Sequence, residues 1–337
     1  MTTHLGLQRI LLPSAQVSSL TTGSITLPSA RGSFSTAGNG GYFAGGRDGS
    51  STLLSSIAKV SFIDDSTSTL SATIVTAKHD VSGYANSGTA GYVAGGRNSA
   101  GTDQSSIDKL SFSNETISNL GATLGTAVSD GAGHANSGTA GYACGGYSSP
   151  ASAFQNKYQK LLFSNDTAST IGATMSKTAN ALTGFANSGT AGYVGTRNNN
   201  TFDKLTYSSE TNSTISSGYS WINEAGAANS GTAGYAFGGD ADGSAPFSEG
   251  TTIHKVTFSS DTTSTLGATL SVPRYDGGAF AKSGTAAYIG GGNSTSGVVA
   301  SVNKLAFSNE TITTLSASLS VARENLAGSG FADSGAL

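Results

Sequence analysis

The stretch Ala85-Asn86-Ser87-Gly88-Thr89-Ala90-Gly91-Tyr92-Val93-Ala94-Gly95-Gly96 returns almost unchanged at residues 135–146 and again at 228–239. Looser copies are centred on Tyr42, Tyr193 and Tyr288. A second phrase follows each copy: Ile107-Asp108-Lys109-Leu110-Ser111-Phe112 recurs around Lys59, Lys160, Lys204, Lys255 and Lys304. Arg9 holds the same place in Leu7-Gln8-Arg9-Ile10-Leu11-Leu12. Steps between these basic residues are 50, 50, 51, 44, 51 and 49, which counts seven units. A fixed period of this size marks a repeat architecture.

Each unit reads as four short strands bounded by Gly, Asn and Ser turns, rich in Val, Ile, Tyr, Phe and Thr. Strand A is of the Tyr84-Ala85-Asn86-Ser87 type and strand B of the Tyr-x-x-Gly-Gly type. Strand C is of the Ile-Asp-Lys-Leu-Ser-Phe type and strand D of the Ile117-Ser118-Asn119-Leu120 type. No window sustains helical periodicity. Four-stranded units repeated radially describe a propeller, so the expectation is an all-β, seven-bladed β-propeller filling residues 1–337 as one domain. The small Ala-Asn-Ser-Gly-Thr-Ala-Gly wording suits the crowded strands nearest the axis. Strands C and D at residues 7–21 lack an A and a B, while Phe331-Ala332-Asp333-Ser334-Gly335 reads as a lone A. The expected closure joins these in one composite blade without a recognisable strand B, a place where a partner strand could add.

Composition fits and narrows the reading. The chain has 337 residues with 47 glycines, 36% apolar and 11% charged positions, and a net charge of −3. That balance is folded rather than disordered and carries no basic footprint for nucleic acid. A single cysteine, Cys144, excludes an internal disulfide framework. No apolar run of 18 residues and no signal-peptide core is present, so neither membrane insertion nor cleaved export is expected.

The Tyr-x-x-Gly-Gly phrase at this spacing resembles the kelch repeat, with Leu70, Leu120, Ile171, Leu266 and Leu315 standing where kelch units carry Trp. The fuller wording, Asn-Ser-Gly-Thr-Ala-Gly-Tyr with Asp-Lys-Leu-x-Phe-Ser and Ser-Thr-Leu-Gly-Ala-Thr-Leu, resembles propeller proteins of bacteriophages, cyanophage virion and tail-fibre proteins among them. That resemblance implies a place in a virion and a partner that is a host surface glycan or protein, or another virion protein.

Spacing then separates two rims. The A-to-B interval is always 8 residues and the C-to-D interval always 11, whereas B-to-C runs from 11 to 20 and D-to-A from 12 to 16. Alternating strand direction puts all variable loops on one rim, and loops on a rigid scaffold carry recognition. Non-repeating residues collect there. The candidate ligand-binding set is Arg47, Arg97, Tyr147, Arg197, Asp240 and Asp242 from the B–C loops. The D–A loops add Tyr219, Trp221, Arg274, Tyr275, Asp276 and Arg323. Aromatic faces, guanidinium planes and carboxylates suit polar ligands.

Other motifs are read as structural. The seven basic residues are expected to pack their stems between blades and reach carbonyls or carboxylates. Asn114-Glu115-Thr116 and its copies are read as turns. Asp240-Ala241-Asp242-Gly243 does not complete a calcium loop, and the four His and Cys144 form no metal pattern, so no metal and no cofactor is expected. No paired carboxylates or Ser/His/Asp context supports hydrolysis. The expectation is a non-enzymatic binding module, with a virion assembly part as the alternative and a glycan-active enzyme behind both.

Overall fold

A computed structural model describes residues 39–196, 200–218, 223–240, 249–326 and 330–332, the last as backbone. By its internal contacts the chain divides into Met1–Phe34 and Ser35–Leu337, and the propeller belongs to the second unit. It has six blades. Blade one pairs Gly330–Ala332 as its strand A with Gly40–Ala44, Ser56–Ser61 and Thr67–Thr73. Blade two is Ser82–Asn86, Ala90–Ala94, Ser106–Ser111 and Thr116–Thr123. Blade three is Ala132–Asn136, Ala140–Cys144, Ala153–Leu162 and Thr167–Ala179. Blade four is Thr183–Asn187, Ala191–Gly195, Thr201–Thr206 and Thr211–Ser216. Blade five is Ala225–Asn229, Ala233–Phe237, Ile253–Thr257 and Thr262–Thr265; blade six is Gly278–Lys282, Ala286–Gly290, Ser301–Ala306 and Thr311–Ser318.

This corrects the expected count of seven and the expected closure. The C-terminal strand A completes blade one. It pairs with Gly40–Ala44, setting Phe331 opposite Tyr42 as Phe280 stands opposite Tyr288 in blade six. Five blades have four strands and blade three has a short fifth, Tyr147–Ser148, so no blade among the described residues lacks a strand B. The Arg9 unit itself lies outside the described residues.

The reason for six lies in what each seam between blades requires. The strand-C lysine of one blade pairs with a carboxylate in the C–D turn of the next. Lys59–Glu115, Lys109–Asp166, Lys204–Asp261, Lys255–Glu310 and Lys304–Asp65 close at 2.6–2.7 Å, and Lys160 meets Glu210 likewise. The same carboxylate accepts the hydroxyl of the strand-B tyrosine, as in Tyr193 to Asp261 at 2.9 Å and Tyr288 to Asp65 at 2.8 Å. That tyrosine also stacks on the aromatic ending strand C of the next blade: Tyr42 on Phe112, Tyr92 on Phe163, Tyr142 on Tyr207, Tyr193 on Phe258, Tyr235 on Phe307. Tyr288 meets Phe62 to close the ring. Each blade therefore needs an aromatic three residues after its lysine and a carboxylate six after. The Arg9 unit has Leu12 and Ala15 at those places, so it lacks the aromatic and the carboxylate that a preceding blade would meet.

A second packing rule explains the Gly before each strand-B tyrosine. A Cβ on Gly141 would lie 2.1 Å from Tyr84, one on Gly192 2.2 Å from His134, and one on Gly234 2.1 Å from Phe185. The strand-A aromatic of one blade thus sits flat on the next blade's glycine. Blade five carries Ala227 in place of the aromatic, and blade six answers with Ala287 in place of the glycine; both are buried in one cluster. Around the axis, the amide of Ser87 donates to Ser137 Oγ, Ser137 to Ser188, Ser188 to Ser230 and Ser230 to Ser283. This hoop gives the Asn-Ser-Gly phrase its purpose, and it rings a channel of about 170 Å³.

Candidate functional site

The rim of constant turns is used up by these seam contacts, which leaves the opposite rim for function. There, in four blades, the D–A segment crosses the start of the B–C loop. His79 pairs with Arg97, Glu324 with Arg47, Ser129 with Tyr147 and Tyr275 with Asn293. The backbone of this crown recurs while its side chains vary, with only the arginine of Arg47 and Arg97 kept between blades one and two.

One residue further along the D–A segment, an inner ring faces the axis. Asp80, Asp130, Ala181, Asn223, Asp276 and Asn325 all hold left-handed φ values of 53–60°. Asp and Asn tolerate that conformation best among residues with a Cβ. Five of the six amides reach the previous member: Asp130 N to Asp80 O at 2.8 Å, Ala181 to Asp130 at 3.0 Å, Asn223 to Ala181 at 3.3 Å, Asp276 to Asn223 at 3.0 Å, Asp80 to Asn325 at 3.0 Å; at the sixth step Leu326 N reaches Asp276 O at 3.0 Å. The ring gathers carboxylates at the channel mouth. Burial, then the charges of Asp80, Asp130 and Glu324, pushes the Asp276 carboxyl well above the usual range, against the pull of Arg47. Burial likewise raises Glu324.

Outside this ring a groove of about 560 Å³ opens between the loops of blades one and two, lined by Arg47, Leu53, His79, Arg97, Asn98 and neighbouring loop residues. Arg47 donates Nε and Nη2 to Asn325 Oδ1 at 3.0 and 2.6 Å and lies 3.7 Å from Glu324. Arg97 Nε meets Asp103 at 2.9 Å, and its guanidinium stands 5.4 Å above the Tyr147 ring. Burial tends to raise the Asp103 carboxyl, but hydrogen bonds from Arg97, Ser129 and the Ser149 amide prevail and hold it below its ordinary value. Asp103 and Ser149 also exchange amide hydrogen bonds, which ties the blade-two loop to the blade-three loop. Beside Tyr147 the Phe154 ring, 5.6 Å away and edge-on, leaves 47% of its surface exposed.

The residues expected at this face divide among several places. Arg47, Arg97, Tyr147 and Tyr275 belong to the crown, and Asp276 to the inner ring. Asp240 is buried in a backbone bridge to Glu249. Arg274 and Arg323 turn inward instead. Arg274 is 2% exposed and donates to the carbonyls of Val272, Gly291 and Ser301, to Ser301 Oγ and to Asn303. Arg323, fully buried, spans the seam to the Phe43, Gly45 and Ser56 carbonyls. Burial lowers both guanidinium groups to about 10, so they stay charged at neutral pH. Lys78 holds the same register and pairs with buried Asp108 at 3.1 Å. Arg197, Tyr219, Trp221 and Asp242 lie outside the described residues. Asp130, Asn223 and Asn325 were not singled out from sequence. An Asp or Asn four residues before the strand-A position, as at Asp80, Asp130 and Asp276, was the available signal. Phe154 left no such trace, since it sits in an extension of strand C unique to blade three.

Among the described residues no group of three or more His, Cys, Asp or Glu is placed to hold a metal ion. Cys144 is buried, and burial raises its thiol well above the ordinary value. No described helix is long and apolar enough to cross a membrane. In comparisons with known proteins, no family model and no curated protein matches the chain.

Proposed function

We propose that this chain is a non-enzymatic binding module whose variable rim recognises a host surface glycan or protein, as part of a phage tail or virion. The crown carries this reading: one backbone arrangement recurs in four blades, yet its side chains range over Arg47, Arg97, Tyr147 and Asn293 on one side and Glu324, His79, Ser129 and Tyr275 on the other. A purely structural rim has no need of that divergence, as the uniform opposite rim illustrates. The fold is that of a rigid scaffold, and the crown sits where such scaffolds present recognition residues. The repeat wording, similar to that of phage propellers, supplies the virion setting.

The test is adsorption of the purified chain to susceptible cells. Arg47→Ala and Arg97→Gln are expected to weaken binding at least tenfold, with Asn114→Ala on the opposite rim binding as the parent does. Equal loss from Asn114→Ala, or no effect of either arginine, would refute the assignment of the rim.

A further inference from the structure

We infer that the groove between blades one and two, continued by the Tyr147–Phe154 ledge, takes an uncharged pyranose chain. This rests on the reading of the rim given above and narrows it to one ligand chemistry. Three observations point the same way.

The first is charge. The two guanidinium groups at the groove are already matched: Arg97 by Asp103, and Arg47 by Asn325 and Glu324. Asp80 stands beside His79 at 2.7 Å, and Asp130 lies further in on the same ring. A uronate or sulfated chain would meet this row of acids without a spare cation to compensate. A polyhydroxyl ligand meets no such penalty. Matched Arg–carboxylate pairs present donors and acceptors side by side, which suits neighbouring hydroxyls that both give and accept.

The second is the ledge. Phe154 is one of only four large apolar side chains exposed among the described residues, and Tyr147 packs against it. Arg97 covers Tyr147 and lines the groove, so apolar faces and polar edges run on continuously. A sugar ring has the same division, with C–H groups on its faces and hydroxyls around its edge.

The third is rigidity. The Asp103–Ser149 exchange locks the two loops, and the His79–Arg97 pairing holds the groove floor. Little ordering is left to be done on binding.

The experiment is affinity electrophoresis of the full chain through gels carrying dextran or mannan, alginate, or chitosan, each at low and high salt, with the parent and Phe154→Ala. Retardation by a neutral polymer, little changed by salt and reduced at least tenfold in Phe154→Ala at unchanged melting temperature, is the expected result. Retardation by alginate or chitosan alone, fading with salt, would overturn the uncharged-ligand inference. Retardation that Phe154→Ala leaves intact would overturn the ledge. If no polymer retards the chain, the glycan inference fails. Cell adsorption that remains sensitive to Arg97→Gln would then show that the rim reading survives it.

Discussion

Glu224 is the residue most at odds with its surroundings. It follows the inner ring at a register where Val81, Leu182 and Leu326 stand in other blades, and it is 3% exposed. Among the described residues its Oε1 has no hydrogen-bond partner, nor have the buried Thr183 and Thr196 hydroxyls. Thr196 in turn replaces the glycine found as Gly95, Gly145, Gly238 and Gly291. Burial pushes the Glu224 carboxyl up to about 8. The unfolded chain gives up this proton near 4.5 and the folded one only near 8, so stability falls as pH rises through that window. The loss is at most on the order of 5 kcal/mol. Glu224→Gln is expected to flatten urea midpoints between pH 5 and 8; an unchanged slope would show that another group carries it. Arg274 and Arg323 mark how far sequence could reach at this scale. Interval counting places a Cα on a rim but not the direction of a long side chain, and here both arginines fold back to cap carbonyls. Arg274→Met is therefore expected to cost roughly 2–4 kcal/mol of stability by leaving buried acceptors unpaired, read as a lowered thermal midpoint.

Strands were the most legible level. Each faces equivalent neighbours in every blade, so the same side chains recur and the period reveals them. The exchange at the fifth seam was less legible, because it takes two departures from the wording, Ala227 and Ala287, that make sense only together. It predicts a cycle. Ala227→Phe alone is expected to destabilise by about 1–3 kcal/mol through overpacking against Ala287, and Ala287→Gly in the same chain to restore most of it. Additive losses in the double variant would show that the two positions do not share a site. The seam lysines have a smaller expected weight. Each pair is partly exposed, so Asp166→Asn should cost no more than about 1 kcal/mol, and less in high salt.

At the scale of the molecule, the period counts phrases while the ring counts seams. Residues 7–21 repeat the phrase and lack the aromatic and carboxylate that a neighbour must meet, which is why seven units give six blades. The described seams are all made by residues from 39 onward. Deleting Met1–Phe34 is accordingly expected to leave the melting temperature within a degree or two. Deleting Gly330–Leu337 removes the inner strand of blade one and should lower it sharply, or yield an insoluble chain. A large loss from the first deletion would mean that the N-terminal unit holds the ring. The constant rim has one more consequence. Neighbours recognise each other there through a lysine, a tyrosine and an acid at set offsets, and on the far side the inner ring and the buried arginines of the D–A segments share that duty, which leaves the tips of the B–C loops the least committed to closure. A lineage, or an engineer, can rewrite those tips one at a time, or graft foreign ones, so long as the D–A segments beneath keep their ring and their arginines.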